Sequence, residues 1–394
     1  MARFLSRGLL ALALMLVVPP AGASERVEAM LATVTAEPLA GNAAFAIGFV
    51  DFTALYAAYG GDPAGTSLGE VIEQRDPPSL AIMDALLRIY SFIDFLPSLR
   101  AGGPHWQEWL GFDFLELGWS LSLGAPPRQL LYLGLETAPR AAAIEAALAA
   151  RGLERVEVAG VTLHAKGQEG SIDVERRLPG YPFWGELGSA ERLALLPQAL
   201  VGSRFDRVTA DAVTAPRLAG LPLVAAGVRA VDAAGLPGAL LQLTLVRDDF
   251  SPEYIKALMA PGSALDEAKA ALEAQAPGPL PPFGLLVLAD RQDARSEESL
   301  VALVYDDAAA AAVAAQTLPL RLAAYRPLKQ QRSLLELLGM VPSVTVMALE
   351  GKHVVLLRLA LDPAAPQEKR RDGQGYYTLL RGLMTRDLGW LTWK

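Results

Sequence analysis

The chain has 394 residues, of which 52% are hydrophobic and 20% charged, and its formal net charge is −8. This length and composition can fill one large or two medium cores, which excludes a disordered chain. The negative charge disfavours nucleic acid as a partner, and the absence of cysteine excludes both a disulfide framework and a lipid anchor attached to cysteine.

The first 23 residues have the three parts of an export signal. Arg3 and Arg7 precede an apolar run over residues 8–18, and residues 21–23 (AGA) form a small-x-small cleavage site. The apolar run is too short to cross a bilayer. We therefore predict cleavage before Ser24, a periplasmic or extracellular protein, and no transmembrane anchor after signal removal.

A serine motif follows, but its context does not favour catalysis. Residues 65–69 (GTSLG) match the G-x-S-x-G pattern of a nucleophile elbow centred on Ser67. That pattern needs a buried strand before it, whereas the preceding segment, YAAYGGDP, is typical of a loop. A triad also needs a suitably placed histidine, and His105, His164 and His353 are widely separated. We therefore predict no catalytic residue.

Metal and cofactor sites are also not predicted. With no cysteine and three scattered histidines, the common structural zinc sites have too few ligands. The glycines do not form a phosphate-binding loop. A metal site made only of carboxylates stays open as the alternative, and the prediction is a protein without a metal or cofactor.

Residues 80–96 (LAIMDALLRIYSFIDFL) predict a helix that is apolar around most of its circumference, with a narrow polar stripe that includes Asp84 and Arg88. Such a helix is expected to be wedged between domains or against a sheet. A lipid or partner surface is the alternative interpretation.

Aromatic side chains occur in Gly/Pro-rich segments and near the end of the chain. They are candidates for a ligand or partner surface, although a tryptophan in such a loop can equally close the edge of a core. The six candidates are Trp106, Trp109, Phe183, Trp184, Trp390 and Trp393.

A first group of elements is predicted between residues 117 and 166. Apolar runs separated by turn residues indicate strands, and an alanine-rich segment that ends at Gly152 indicates a helix. The last two strands form a hairpin across residues 159–160 (AG). The predicted strands are 117–123, 130–135, 154–158 and 161–166.

A second group repeats this order after a loop-rich transition over residues 215–237 and a Pro/Gly-rich linker over 277–282. Residues 306–307 (DD) cap a helix that runs at least to Pro319, and residues 350–351 (EG) form the hairpin turn. The predicted strands are 283–290, 300–305, 344–349 and 353–361.

The end of the chain predicts one loop and one helix. Residues 369–371 (KRR) are interpreted as a solvated loop. Residues 376–393 place apolar side chains along one helical face and are expected to dock onto the fold. A position at a membrane interface is the alternative, although interfacial helices usually carry more Lys and Arg.

The repeated order predicts an α+β fold with two related β-β-α-β-β modules, each an antiparallel sheet with helices packed on one face, plus extra helices. The predicted division is a signal peptide (1–23), an N-terminal module with a helical insert (24–215) and a C-terminal module with a C-terminal helix (216–394).

Short motifs in the first module resemble a pattern in uncharacterised exported bacterial proteins, across about residues 105 to 215. The resemblance implies an exported α+β protein with a following strand–helix unit at 193–215, and it implies no activity, cofactor or catalytic residue. The motifs are 109–113 (WLGFD), 124–127 (GAPP), 144–148 (IEAAL) and 160–163 (GVTL).

Two functions fit these observations. The first is an exported, non-catalytic envelope protein that acts through protein contacts or as a scaffold, with a protein partner or self-association. The alternative is a binding protein for an apolar or lipid-like ligand held between the two modules.

Overall fold

A computed structural model describes the residues 25–36, 44–89, 102–124, 128–135, 141–233, 236, 238–251, 277–293, 297–327, 332–361, 373–385 and 387–393. The predicted signal peptide, the basic run at 369–371 and the second part of the helix predicted at 80–96 lie outside these residues. Within them, the chain has the predicted combination of helices and a large antiparallel sheet.

Twelve strands make up the sheet. They are β1 (Phe45–Asp51), β2 (Leu117–Leu123), β3 (Leu130–Leu135), β4 (Glu154–Val158), β5 (Val161–Lys166), β6 (Glu191–Leu196), β7 (Ala199–Ser203), β8 (Ala239–Arg247), β9 (Leu285–Gln292), β10 (Glu297–Tyr305), β11 (Met340–Leu349) and β12 (Lys352–Leu361). Their order is β11-β12-β10-β9-β8-β1-β2-β3-β7-β6-β5-β4. The sheet runs without interruption across the predicted division at residue 215, because β1 pairs with β2 on one side and β8 on the other.

Eleven α-helices within the described residues pack against the sheet. They are α1 (Glu25–Thr33), α2 (Phe52–Tyr59), α3 (Leu68–Gln74), α4 (Pro77–Leu87), α5 (Trp106–Leu110), α6 (Ala141–Ala150), α7 (Asp206–Thr214), α8 (Pro222–Asp232), α9 (Ala308–Ala324), α10 (Leu334–Leu338) and α11 (Gln374–Met384). On one face, α1, α7 and α8 share a single apolar core. On the other face, α2 to α6 cover the N-terminal half of the sheet and α9 to α11 cover the C-terminal half.

Helices on both faces explain why the central strands are buried along their whole length. All residues of β2, β3, β9 and β10 are buried, whereas a sheet covered on one face would expose alternate residues. The sequence prediction of two separate sheets with helices on one face therefore gives way to one sheet covered on both faces.

The helix α8 corrects the prediction of a loop-rich transition at 215–237. Pro222 occupies the first turn of this helix, where its missing N–H is not needed. The small residues that suggested a loop instead bring α8 close to the sheet, since a Cβ on Gly227 would lie 2.9 Å from a Val287 methyl carbon. Glycine here serves close packing of a helix onto strands.

The two predicted β-β-α-β-β groups have the expected order of elements along the chain, but the repeat is not confirmed. In the second group β10 lies directly beside β12. In the first group the hairpin β6–β7 lies between β3 and β5. The strand orders of the two groups therefore differ by an inserted hairpin.

A buried polar cluster, here called the Arg88 centre, separates the two apolar cores on the second face. The Arg88 Nε and Nη2 donate to the two Asp290 carboxylate oxygens at 2.9 and 2.7 Å, and Nη1 donates to Gln292. Glu297 lies 3.5 Å from Nη2 and accepts a 2.8 Å bond from the Gly373 backbone. Arg88 belongs to the polar stripe predicted for residues 80–96, and its side chain reaches the sheet by binding Asp290 on β9.

Candidate functional site

A half-buried arginine, Arg151, lies toward the β4 end of the sheet, at a cavity of about 310 Å³ that we call the Arg151 pocket. Its wall comes from the end of β5, the start of β6, the residue after α6 and the loop 171–190. The charged and hydroxyl-bearing lining residues are Glu108, Arg151, Lys166, Ser171, Asp173, Arg176, Arg177, Ser189 and Glu191.

Arg151 is held by contacts on three sides. It follows α6, whose end is marked by Gly152 in the left-handed conformation. Its Nη2 donates to Glu191 Oε1 at 2.8 Å, and its guanidinium carbon lies 3.9 Å from the centre of the Tyr181 ring. Lys166 Nζ donates to the Arg151 carbonyl oxygen at 2.7 Å. A planar guanidinium over an aromatic face is a favourable cation–π arrangement.

The loop 171–190 closes the pocket by folding back on itself. The Asp173 N–H donates to the Gly188 carbonyl at 3.0 Å, and the Ala190 N–H donates to the Ser171 carbonyl at 3.0 Å. A Cβ on Gly188 would lie 1.9 Å from the Asp173 carbonyl oxygen, so only glycine allows this approach. The loop therefore places Ser189 at the pocket wall with little freedom.

Four buried side-chain atoms at this site have no hydrogen bond within 3.5 Å among the described residues, although Tyr181 interacts with both Arg151 and Glu191. They are Arg151 Nη1, Tyr181 Oη, Ser189 Oγ and Glu191 Oε2. Three of these residues line the cavity, and Tyr181 lies beneath Arg151. An unpaired polar atom shielded from water costs about 1–3 kcal/mol. Polar atoms of this kind gather around the Arg151 pocket.

The charges at the pocket favour a ligand rich in acceptor oxygens. Burial alone lowers the pKa of the Arg151 guanidinium, but Tyr181 and Glu191 outweigh burial and raise it, so Arg151 stays charged. Burial, reinforced by the Glu191 carboxylate, raises the pKa of Tyr181, which keeps its hydroxyl protonated as a donor. Glu191 Oε2 is the one acceptor-only atom among the four unpaired atoms.

The structure places the six predicted aromatic residues in different environments. Trp106, Phe183 and Trp390 are buried in the apolar cores and contribute no surface. Trp109 is 8% exposed and lines the Arg151 pocket. Trp184 is half-buried and lies against the ring of its chain neighbour Phe183. Trp393 is half-buried against Phe250 and Phe283. The predicted surface thus contributes one tryptophan to the pocket.

Ser67 caps a helix. Its Oγ accepts from the Glu70 N–H at 3.3 Å, and the Glu70 carboxylate accepts from the Ser67 N–H at 2.7 Å, which is a capping box at the start of α3. No hydrogen bond links Ser67 to a histidine within the described part of the chain. The motif is explained by helix capping.

A larger cleft of about 660 Å³ lies beside α2 and the segment before β2. Tyr56 and Asp113 line it, together with Ala57, Leu115 and Leu117. Burial raises the pKa of Asp113, against the opposing bonds from the Leu115 and Leu68 backbones. This cleft belongs to the N-terminal half and does not lie between the two predicted modules.

Arg151, Ser189 and Glu191 were not candidates in the sequence. They come from two segments, with Arg151 and Glu191 separated by 40 positions, and none lies in a recognisable motif. The fold alone brings them together. His164, on β5, is 5% exposed because both faces of this strand are covered.

The described residues contain neither a membrane-spanning helix nor a metal-binding cluster. No helix in the ranges given above is long and apolar enough to span a membrane. In the same part of the chain, no group of three or more acidic or histidine side chains is arranged to hold a metal ion.

Comparison with known proteins identified no family. No protein-family model and no curated protein matches the chain. Two crystal forms of TP0453, forms I and III, align with it at TM-scores of 0.34 and 0.33 and 9% identity. The alignments cover 89% and 88% of this chain and 98% and 97% of the other. Scores this low establish neither a common fold nor a common function.

Proposed function

We propose that the protein is an exported, non-catalytic binding protein that holds a small organic anion in the Arg151 pocket. The observation that carries this proposal is the group of four unpaired, buried polar atoms around the pocket. Export is supported by the charged, apolar and small-residue parts of the first 23 residues.

The donor and acceptor inventory defines the ligand class. Arg151 Nη1 and the Tyr181 and Ser189 hydroxyls offer donors, which suit a carboxylate. Glu191 Oε2 needs a donor from the ligand, such as a hydroxyl or amino group. The cavity volume of about 310 Å³ suits a single small molecule. The proposed ligand is therefore a small carboxylate that also carries hydroxyl or amino groups.

Binding requires a small adjustment of the pocket wall. The four unpaired atoms are shielded from solvent. Rotation of the Ser189 side chain turns its hydroxyl toward the cavity while Arg151 keeps its bond to Glu191, and hydrogen bonds to the ligand then recover the cost of leaving polar groups unpaired. The backbone of the loop 171–190 stays in place because hydrogen bonds join its two ends, near residues 171–173 and 188–190.

A panel of three probes tests the ligand class by calorimetric titration of the mature protein. D-glucuronate has a carboxylate and hydroxyls, D-glucose has hydroxyls only, and propionate has a carboxylate only. We expect binding of D-glucuronate to exceed that of either single-feature probe by at least about tenfold, which is about 1.4 kcal/mol. Equal binding of all three probes, or of none, contradicts the proposal.

A second candidate function, binding of an apolar ligand, is supported by the 660 Å³ cleft. The Tyr56 hydroxyl lines this cleft with no hydrogen-bond partner among the described residues. An apolar body with one polar group fits such a lining. Binding of a medium-chain alcohol such as decanol that weakens in Tyr56→Phe supports this function, and unchanged binding in the variant opposes it.

A further inference from the structure

The two edges of the twelve-stranded sheet differ in length and charge. The edge strand β4 has five residues, three of them charged (ERVEV). The other edge, β11, has ten residues and no charge (MVPSVTVMAL). Short, charged edge strands resist pairing with another chain, whereas long, uncharged ones favour it.

The hairpin geometry identifies which backbone groups of β11 point away from the sheet. Glu350 and Gly351 have φ values of 52° and 69°, as in a two-residue type I′ turn. Leu349 and Lys352 therefore form a hydrogen-bonded pair, and alternate residues of β11 face β12. The outward set is Met340, Pro342, Val344, Val346 and Ala348.

Pro342 limits this free edge at one end. It occupies an outward position and has no N–H, so it removes one donor without disturbing the pairing with β12. Val344, Val346 and Ala348 keep both outward groups. Within the described part of the chain, no strand pairs with this edge.

Apolar side chains continue to the edge on both faces of β11. Met347 and Leu349 pack at the margin of the first core, and Val344 and Val346 pack at the margin of the core under α9 to α11. All four are half-buried. A strand that covers this edge must therefore be uncharged and apolar on both faces, and β11 itself has these properties.

We propose that two copies of this chain pair antiparallel through β11 and continue the sheet across a two-fold axis near Val346. Val344 of one copy then lies opposite Ala348 of the other, and the outward groups form about six new hydrogen bonds. The Arg151 pocket lies toward the opposite edge, near β5 and β6, so pairing leaves it open.

Sedimentation velocity of the mature full chain, from about 1 to about 200 µM, tests this pairing because a contact limited to one strand is expected to dissociate within this range. We expect a monomer–dimer equilibrium. Thr345→Lys places a charge on an exposed β11 position beside the joint and is expected to weaken the dimer at least tenfold. Glu154→Lys, on β4, is the matched control and is expected to leave the equilibrium unchanged.

Val344→Pro provides a second test, because it removes one outward N–H while the bonds to β12 remain. Both β11 variants should retain the parent circular dichroism spectrum and its affinity for D-glucuronate. A parent protein that is monomeric throughout, or a dimer that neither β11 variant weakens, overturns the pairing. A monomer that instead captures a different protein through β11 also overturns it. None of these outcomes bears on the Arg151 pocket.

Discussion

The Arg88 centre and the Arg151 pocket each place a guanidinium beside a carboxylate inside the fold, yet they differ in how completely their polar atoms are paired. Every nitrogen of the Arg88 guanidinium donates a hydrogen bond, and Gln292 Nε2 is the single unpaired side-chain atom among its partners. The Arg151 pocket is a cavity with four unpaired atoms around it.

This difference assigns a structural role to the Arg88 centre and a binding role to the Arg151 pocket. Arg88, at the end of α4, joins that helix to β9 and β10. The Arg88 centre thus connects the N-terminal helices to the C-terminal half of the sheet. An open centre with unpaired groups is costly without a ligand. The two sites therefore respond differently to the same substitution.

The largest expected effect is at the Arg88 centre. Arg88→Met leaves the buried carboxylates of Asp290 and Glu297 without their cation. The free energy of unfolding should fall by about 3–5 kcal/mol, as is typical when one partner of a buried ion pair is removed. Urea denaturation of the parent and variant measures this change. A loss below about 1 kcal/mol contradicts the structural role.

Arg151→Met should destabilise less, by about 1–3 kcal/mol, because the pocket already leaves one oxygen of Glu191 unpaired and lies beside a cavity. Binding of D-glucuronate should become undetectable. Equilibrium unfolding and calorimetric titration of the same preparation separate the two effects. A variant as unstable as Arg88→Met that still binds the probe contradicts the distinction between the sites.

Ser189→Ala sharpens the comparison with a smaller change. Its hydroxyl has no partner, so its removal should leave the stability of the unliganded protein within about 0.5 kcal/mol or raise it. The matched control is Ser203→Ala, where the buried hydroxyl accepts from the Phe205 N–H at 3.3 Å and its loss should cost about 1 kcal/mol.

Only the Ser189 variant should bind D-glucuronate more weakly, at least about tenfold. Equilibrium unfolding and calorimetric titration of both serine variants together test this prediction. If both serine variants lose the same stability and neither loses affinity, Ser189 is an ordinary core residue.

The smallest expected effect concerns His164, a buried basic group without a carboxylate partner at hydrogen-bond distance among the described residues. Burial, and secondarily Arg155, lowers the pKa of His164 below its usual value of 6.5. The unfolded chain therefore binds a proton near pH 6.5 that the folded chain does not, and stability falls as the pH decreases through this range.

His164→Gln should flatten the dependence of the unfolding free energy on pH between about 7.5 and 5.5. Urea denaturation at several pH values measures the slope. His105→Gln changes an exposed side chain and is the control. A slope that is equally steep in the His164 variant contradicts the assigned cause.

The sequence predicted the bounds of several strands but not the residues of the Arg151 pocket. β2 to β5 match their predicted bounds, because apolar runs between Gly and Pro residues specify short strands. β8 was missed, although residues 241–245 (LQLTL) alternate between apolar and polar side chains, which is the pattern of a strand. α8 was missed because its glycine and alanines serve close packing.

The polar sites could not be predicted for a different reason. Arg88 was visible as part of a polar stripe, but its partner Asp290 lies 202 residues away. Arg151 lies in one segment, and Ser189 and Glu191 lie together in another, and neither segment shows a periodicity or motif. Long-range pairing of strands, which local patterns do not specify, determines both sites.

The most direct test of the central claim is native mass spectrometry of the mature protein, purified gently from the cells that produce it. The parent protein should carry one small adduct whose mass and fragments identify a hydroxylated or aminated carboxylate. Arg151→Met should lose the adduct, whereas Thr345→Lys should keep it. A parent protein without adduct, or an adduct that persists in Arg151→Met, contradicts the proposed binding function of the Arg151 pocket.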